Sequence, residues 1–300
     1  YRDYVGVERY GINPTLAIAP TATGSLRLGY ELFDDHRTAD RGVPSFRGRP
    51  LDTDVATFFG DPHESHADAR IQAGTATFEQ AIGTRLTLRN ATRLAGHEKF
   101  YQNVFPGAVD AAGERVAILG YNNRMRRTNL LNQTDVTYAL RTGAVKHLLL
   151  GGAELGRQAT SAFRNTGYFG ESTSFSTPLA SPTVDAPVAF RQSATDADAR
   201  TAATIAAGYV QDQLELTRFV QAVAGIRFDD FRLAYHNNRT GADLARRDRL
   251  VSPRLGIVVK PVEALSLYGS FSVSHLPGSG NQFSSLTVTT KSLAPERFTN

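Results

Sequence analysis

The stretch "VSPRLGIVVKPVEALSLYGSFSVSH", residues 251–275, decides the fold. Leu255, Ile257 and Val259 take alternate positions before Pro261-Val262-Glu263-Ala264. Leu265, Leu267, Phe271 and Val273 do the same after it, while Arg254, Ser266, Tyr268, Ser270 and Ser272 fill intervening positions. Successive side chains of a strand point to opposite faces, whereas a helix brings residues three or four apart together. The stretch therefore reads as two strands joined by a short break, with one apolar and one polar face.

The same period recurs along the chain. In "GSLRLGYELF", Leu26, Leu28, Tyr30 and Leu32 oppose Arg27, Gly29 and Glu31. In "TRLTLRNATRL", Leu86, Leu88 and Leu94 oppose Arg85, Arg89 and Arg93. In "FVQAVAGIRFDDF", Val220, Ala222, Ala224, Ile226 and Phe228 oppose Gln221, Gly225, Arg227 and Asp229. Clear alternation marks 22–34, 84–98, 219–235, 248–260 and 264–275, and weaker alternation marks 5–19, 66–80, 125–139, 145–160 and 201–216. That predicts ten strands. Short breaks near 20–23, 81–83, 140–143, 217–218 and 261–263 alternate with long ones at 35–65, 99–124, 161–200 and 236–247, so the sheet has a short-turn end and a long-loop end.

Composition narrows the class. The 300 residues contain no Cys, which excludes disulfides, thiolate metal sites and cysteine nucleophiles. No apolar run reaches the length of a membrane-spanning helix. A membrane barrel needs none, because only the outward positions of its strands are apolar. A soluble sandwich shows the same alternation. Three features favour the membrane: runs of about 12–15 residues against a globular mode of about 5–6, polar long loops, and aromatics near strand ends (Tyr30, Phe33, Tyr138, Phe228, Phe231, Tyr235), placed as an interfacial girdle. The net charge of +4 is spread over strands and loops and forms no compact nucleic-acid footprint.

Several phrases resemble the TonB-dependent siderophore receptors of Gram-negative outer membranes. "SPRLGIVVKP" with "LSLYGSFSVSH" resembles a pair of that family's barrel strands, and "LAPERFTN" the phrase that opens the next. "GYVQDQLELT" with "VAGIRFDDF" is similar to two consecutive family strands, Phe228 standing for the usual tyrosine. "DDHRTADRGVPSFRGRP" followed by "TFFGDP" resembles the first long loop of the catecholate-type branch. The resemblance implies an all-β, antiparallel up-and-down barrel of about 22 strands around a plug domain, in the outer membrane, of which residues 1–300 would be a central piece of about ten strands. It implies import of a ferric siderophore by a monomer, driven by the TonB–ExbB–ExbD complex through an N-terminal part not represented here. Outer-membrane lipid and lipopolysaccharide would be the surroundings. Cobalamin, haem or a sugar as cargo, a passive porin-like barrel and a soluble β-sandwich are the alternatives. In this orientation the break at 261–264 is a periplasmic turn, and the apolar face of residues 251–275 meets lipid.

Such transport asks no covalent chemistry and no cofactor of the barrel, so the search is for cations and rings on the entry loops. Arginine suits an anionic aromatic chelate because its planar cation both hydrogen-bonds oxygens and stacks on rings. The first long loop supplies Arg37, Arg41, Arg47 and Arg49 beside Phe46, Phe58 and Phe59; the second supplies Tyr121, Arg124, Arg126 and Arg127. Arg47, Arg49, Phe58, Phe59, Tyr121, Arg124 and Arg126 are the candidate ligand contacts. The competing role for these arginines is pairing with lipopolysaccharide phosphates or nearby Asp residues. Arg85, Arg89 and Arg93 form a basic ladder expected to face the lumen and pair with the plug. "DPHESH" gathers Asp61, His63, Glu64 and His66 near Asp68, yet fits no firm zinc spacing and reads as a solvated loop. "GSG" at 278–280 precedes no helix pattern and is not read as a phosphate cradle, and no nucleophile motif marks an enzyme.

Overall fold

The structure, a computed structural model, describes residues 2–262, 264–278 and 286–300. Glu263 of the expected turn, and Ser279 and Gly280 of the "GSG" phrase, lie outside the described residues. In chain order the elements are β1 (Val7–Ile12), β2 (Thr15–Thr21), β3 (Gly24–Thr38), β4 (Ser45–Phe46), β5 (Arg49–Pro50), β6 (His66–Ile82), β7 (Leu86–Val109) and β8 (Arg115–Thr142). They continue with β9 (Val145–Tyr168), β10 (Ser174–Pro178), β11 (Ala189–Arg191), β12 (Asp198–Thr217), β13 (Val220–Asn237), β14 (Asp243–Val262), β15 (Leu265–Leu276), helix α1 (Val288–Ser292) and β16 (Glu296–Thr299).

One open antiparallel sheet runs β1-β3-β6-β7-β8-β9-β12-β13-β14-β15-β16, with β2 also paired to β3, β10 to β8 and β11 to β9. Both β1 and β2 pair with β3, so they are one strand interrupted at Asn13-Pro14. Proline cannot donate to the ladder, which explains the break there. Counted so, the ten expected strands are all present, and β16, within "LAPERFTN", opens an eleventh against Val273–Leu276. The short turns also fall where expected. At 143–144, Gly143 has φ +62°, the conformation a type II′ hairpin asks of its first turn residue.

The long-loop end differs from the expectation. Residues 99–109 and 115–124 are strand, in a β7–β8 ladder of 24- and 28-residue strands with one register shift between Pro106 and Val109, closed by a short turn. β9 likewise continues to Tyr168, and β13 and β14 leave only 238–242 between them. The alternation fades there because one face enters a core shared with the loops while the other mixes polar and aromatic side chains, and the backbone ladder needs no apolar alternation to continue. Two long connections remain, 39–65 and 169–197, and both fold onto the β7–β8 extension. Phe59, Val104, Val116 and Ile118 are each no more than 1% exposed, with Val43, Leu51, Phe169, Phe175, Val188 and Phe190 packed around them. Gly60, at φ +119°, lies so close to the Val104 carbonyl that a Cβ would come within 1.9 Å of its oxygen. β7–β8 is thus a post buttressed from one side.

Register carries the two faces across the whole sheet. Leu26, Phe78, Asn90, Thr134, Ala153, Gly208, Phe228 and Val251 form one row on the apolar face. Leu28, Leu94, Leu130, Leu155, Val210, Ile226, Leu255 and Ile257 share that face and are exposed. Of the aromatics expected in a girdle, Tyr30, Tyr138 and Phe228 lie on it. Phe33, Phe231 and Tyr235 have the opposite parity and face the polar side. There Phe231 packs with Ala203, Leu233 and Leu286, and Arg246 donates to the Thr290 and Lys291 carbonyls (3.1 and 3.0 Å), tying α1 over the polar face.

A polar island interrupts the apolar face between Leu88 and Leu94 on β7 and between Leu130 and Val136 on β8. Asn90 donates to Asn132 Oδ1 and Thr134 Oγ1 (3.3 and 2.8 Å), and Asn132 donates back to Asn90 Oδ1 and Thr92 Oγ1 (3.2 and 2.7 Å). The two amides use all their N–H groups on one another and on the hydroxyls, so the island satisfies itself without water.

Candidate functional site

The β7–β8 post separates its side chains by parity. Even residues enter the loop core; odd ones continue the polar face upward. Tyr101 and Phe105 on β7, Tyr121 on β8, and Arg164 and Thr166 on β9 follow this second parity. The Tyr101 and Tyr121 rings meet edge to face at 5.3 Å with hydroxyls in contact, and Phe105 meets Tyr121 at 5.5 Å and 88°. Burial, reinforced by the hydrogen bond to Tyr121, pushes the Tyr101 phenol up to about 12. It therefore stays protonated at physiological pH and serves as a hydrogen-bonding group in the cluster.

Two arginines close on these rings. Arg41, from the 39–65 connection, places its guanidinium 5.2 Å from the Phe105 ring, 5.6 Å from Tyr121 and 5.9 Å from Tyr101. It donates to the Tyr121 hydroxyl at 2.6 Å. From the other side Arg164 lies 4.1 Å over the Tyr121 ring and donates to Asp196 at 3.1 Å. Asp196 also accepts from the Ser193 amide and the Thr166 hydroxyl (2.7 and 2.8 Å). Burial alone would raise this carboxyl, but those donors and the Arg164 charge hold it below the usual range. Arg164 is thereby fixed and neutralised, whereas Arg41 has no carboxylate in ion-pair reach among the described residues. The cluster presents aromatic faces, phenol groups and one uncompensated planar cation, a combination whose chemistry suits an anionic, ring-bearing group.

The residues expected from the sequence are dispersed around this cluster. Tyr121 is at its centre, beside Arg41 of the wider set. Arg47 and Arg49 sit at the exposed β4–β5 tip, where Arg47 stacks on Phe46 at 4.8 Å and Phe46 faces Gly113 in the β7–β8 turn. Phe58 and Phe59 are 1% exposed. They are buried and lie apart from the Arg41–Tyr121 rings. Arg124 and Arg126 have the opposite parity to Tyr121 and point to the other side of the sheet; Arg124 lies 5.3 Å over Phe100 and Arg126 meets Glu98 at 3.5 Å. Arg127 shares the parity of Tyr121 and donates to Thr160 at 3.0 Å. Of the basic ladder, Arg89 pairs with Asp135 (3.4 Å) and Arg93 with Glu31 (3.1 Å), both within the sheet itself. Arg85 has no carboxylate in reach among the described residues and lies with Arg141 and Lys146 at the short-turn rim. In "DPHESH", Asp61 is fully buried and accepts the amides of His63, Glu64 and Ala186 (2.9, 3.2 and 3.3 Å), stapling one loop to the other.

Tyr101, Phe105 and Arg164 escaped the sequence reading, although one signal was present. Counting in twos from Arg85, Arg89 and Arg93 reaches His97, Tyr101 and Phe105, all on the polar face.

The family model described as TonB dependent receptor-like, beta-barrel matches residues 10–300. The chain belongs to this receptor family. Among curated relatives, the catecholate siderophore receptor Fiu of Escherichia coli (strain UTI89) is 24% identical over 94% of the chain and 42% of its own length. The metal-pseudopaline receptor CntO of Pseudomonas aeruginosa is 23% identical over 93% of the chain and 40% of its length. The solved siderophore receptor PiuA of Acinetobacter baumannii superposes with a TM-score of 0.85 at 19% identity, covering 98% of the chain and 46% of that structure. The chain thus spans less than half the length of the receptors it matches. In a TonB-dependent receptor barrel the apolar face described above is the outward one, and the Arg41–Tyr121 cluster lies inside, at the long-loop end.

Proposed function

We propose that this chain forms part of the wall of an outer-membrane receptor of Gram-negative bacteria that imports a ferric siderophore of the catecholate type. The observation that carries the reading is the inward cluster of Arg41 and Arg164 on Tyr101, Phe105 and Tyr121. A ferric catecholate is anionic and edged with rings, and this cluster offers a partner to both properties. The receptor acts by binding and conformational change rather than by making or breaking covalent bonds. It works as a monomer surrounded by outer-membrane lipid and lipopolysaccharide, with the TonB–ExbB–ExbD complex driving release. The periplasmic-rim arginine Arg85 is the member of the basic ladder left to meet a domain inside the barrel.

The test is growth under iron limitation on single ferric siderophores, with the full-length gene deleted and restored. Use of a ferric catecholate is expected to depend on the gene. Dependence on a carboxylate or other metallophore instead, in line with the name of CntO, would replace the catecholate assignment while keeping the transport role. Dependence on none would end the transport reading.

A further inference from the structure

Among the described residues, four buried side-chain atoms make no hydrogen bond: Nδ2 and Oδ1 of Asn103, Oδ1 of Asn129 and Oδ1 of Asp212. Asn129 and Asp212 each use their other atom, on His97 (3.4 Å) and His147 (2.7 Å). Asn103 uses neither, although it is fully buried. A buried amide without partners costs free energy until something meets it, so its place in the fold asks for a partner from outside the free chain.

Register locates that partner. Asn103 lies between Tyr101 and Phe105 on β7 and directly opposite Tyr121 on β8, so the four side chains share the inward face. The Tyr121 ring is 5.3 Å from the Tyr101 ring and 5.5 Å from the Phe105 ring, midway between the two same-face neighbours of Asn103. It leans across β7 and roofs the amide. Arg164 lies on this roof from the β9 side at 4.1 Å, and Arg41 donates to its hydroxyl at 2.6 Å. An anion that draws the Arg41 guanidinium to itself releases that hydroxyl. Rotation of one side chain, with the β8 backbone in place, then opens Asn103 to the ligand.

We infer that Asn103 is a concealed specificity residue of the ligand site, whose amide pairs with an amino-acid unit in the backbone of the chelate once Tyr121 turns aside. The side-chain amide offers an acceptor beside N–H donors, so its complement carries one donor and one acceptor on the same edge. Catecholate oxygens only accept; they would satisfy Nδ2 and leave Oδ1 alone. An extended amino-acid unit presents its N–H and C=O on one edge, as it does to a neighbouring strand, and satisfies both. This rests on the catecholate reading above and deepens it. Arg41 and the rings take the charge and the aromatic groups, while Asn103 reads the linker that carries them.

The experiment uses the full-length receptor in mild detergent and two synthetic ferric tris-catecholates of equal charge. One carries an amino-acid spacer between its rings; in the other an ester oxygen replaces the spacer N–H. Calorimetric titration of the wild type should favour the amide about tenfold. In Asn103→Leu, close in size and without a polar atom, the two chelates should bind alike, and hydrogen exchange over 101–105 in the unliganded protein should be no faster, because the orphan amide is gone. Asn103→Ala, which cannot overpack the site, should abolish the preference as well. Tyr121→Ala removes the roof and should keep it. Equal binding of the two chelates by the wild type would overturn the proposal without any variant. So would a preference that survives in both Asn103 variants, or one that vanishes in Tyr121→Ala and so belongs to the phenol. A wild type that binds neither chelate would overturn the catecholate reading and this proposal with it, an outcome distinct from the other three.

Discussion

Arg41 offers the sharpest test of the inward site. Its guanidinium donates to the Tyr121 hydroxyl at 2.6 Å and lies within 6 Å of three ring centroids, with no carboxylate in ion-pair reach among the described residues. A ligand anion entering there gains a charge-assisted hydrogen bond, of about 1.5–3 kcal/mol. The cation–π contacts exist before binding and cancel from the difference. Arg41→Ala should therefore weaken an anionic ferric tris-catecholate about 10- to 150-fold. Arg41→Lys keeps the charge but loses the planar fork and should cost about three- to tenfold. Arg47→Ala with Arg49→Ala, at the exposed tip, should cost less than about threefold. The assay is a calorimetric titration of the full-length receptor in detergent, with far-ultraviolet circular dichroism confirming the barrel. A double-mutant cycle of Arg41→Ala with Tyr121→Phe should show a coupling above about 0.5 kcal/mol, because the two share one hydrogen bond. An Arg41→Ala affinity within twofold of the wild type, or a larger loss from the tip pair, would refute the cluster as the ligand site.

The remaining predictions concern the scaffold. Gly60→Ala should release the 39–65 connection from β7, since its Cβ would collide with the Val104 carbonyl at a positive φ; limited proteolysis would show cleavage within 39–65 and an intact barrel. Phe59→Ala should leave a cavity in the loop core costing about 3–5 kcal/mol locally, read as faster hydrogen exchange at 58–60 and 116–118. Asn90→Ala should destabilise the barrel by about 1–3 kcal/mol because it strands the Asn132 amide, whereas Asn90→Leu with Asn132→Leu should be close to neutral; urea unfolding in lipid vesicles compares them. The Asp196 carboxyl is lowered in the folded state, so its contribution to holding 193–196 against β9 is complete above about pH 4 and lost as pH falls through the folded value. The protection factor of the Ser193 amide, corrected for the intrinsic pH dependence of exchange, should fall on acidification and should stay constant in Asp196→Asn.

Alternation made the membrane wall legible. From Leu26 to Val273 the apolar parity read from the sequence is the parity that register places on one face, because each outward position there meets the same apolar medium. Above that wall the signal stopped, although the strands did not. In 99–109 the even side chains enter a core built from two distant loops and the odd ones carry Tyr101 and Phe105, so no single period in composition survives. The loop aromatics show a related limit: Phe58 and Phe59 are adjacent in sequence and both 1% exposed, but the burial of Phe59 against Val104, Val116 and Ile118 depends on a strand pair far along the chain. Arg124, Arg126 and Arg127 adjoin in sequence, yet parity sends the first two outward and the third inward.

The division of the β7–β8 post also bears on how such a receptor changes its cargo. Positions 104, 116 and 118 hold the architecture, and positions 101, 105 and 121 line the proposed ligand site, yet all six lie on one hairpin. Substitutions at the second set alter ring size, charge or hydrogen bonding without reaching the packing of the first. A lineage meeting a new chelate can therefore explore recognition and keep its fold on the same pair of strands. Drift at the even positions is expected to be slow and apolar, and at the odd positions fast and chemically varied.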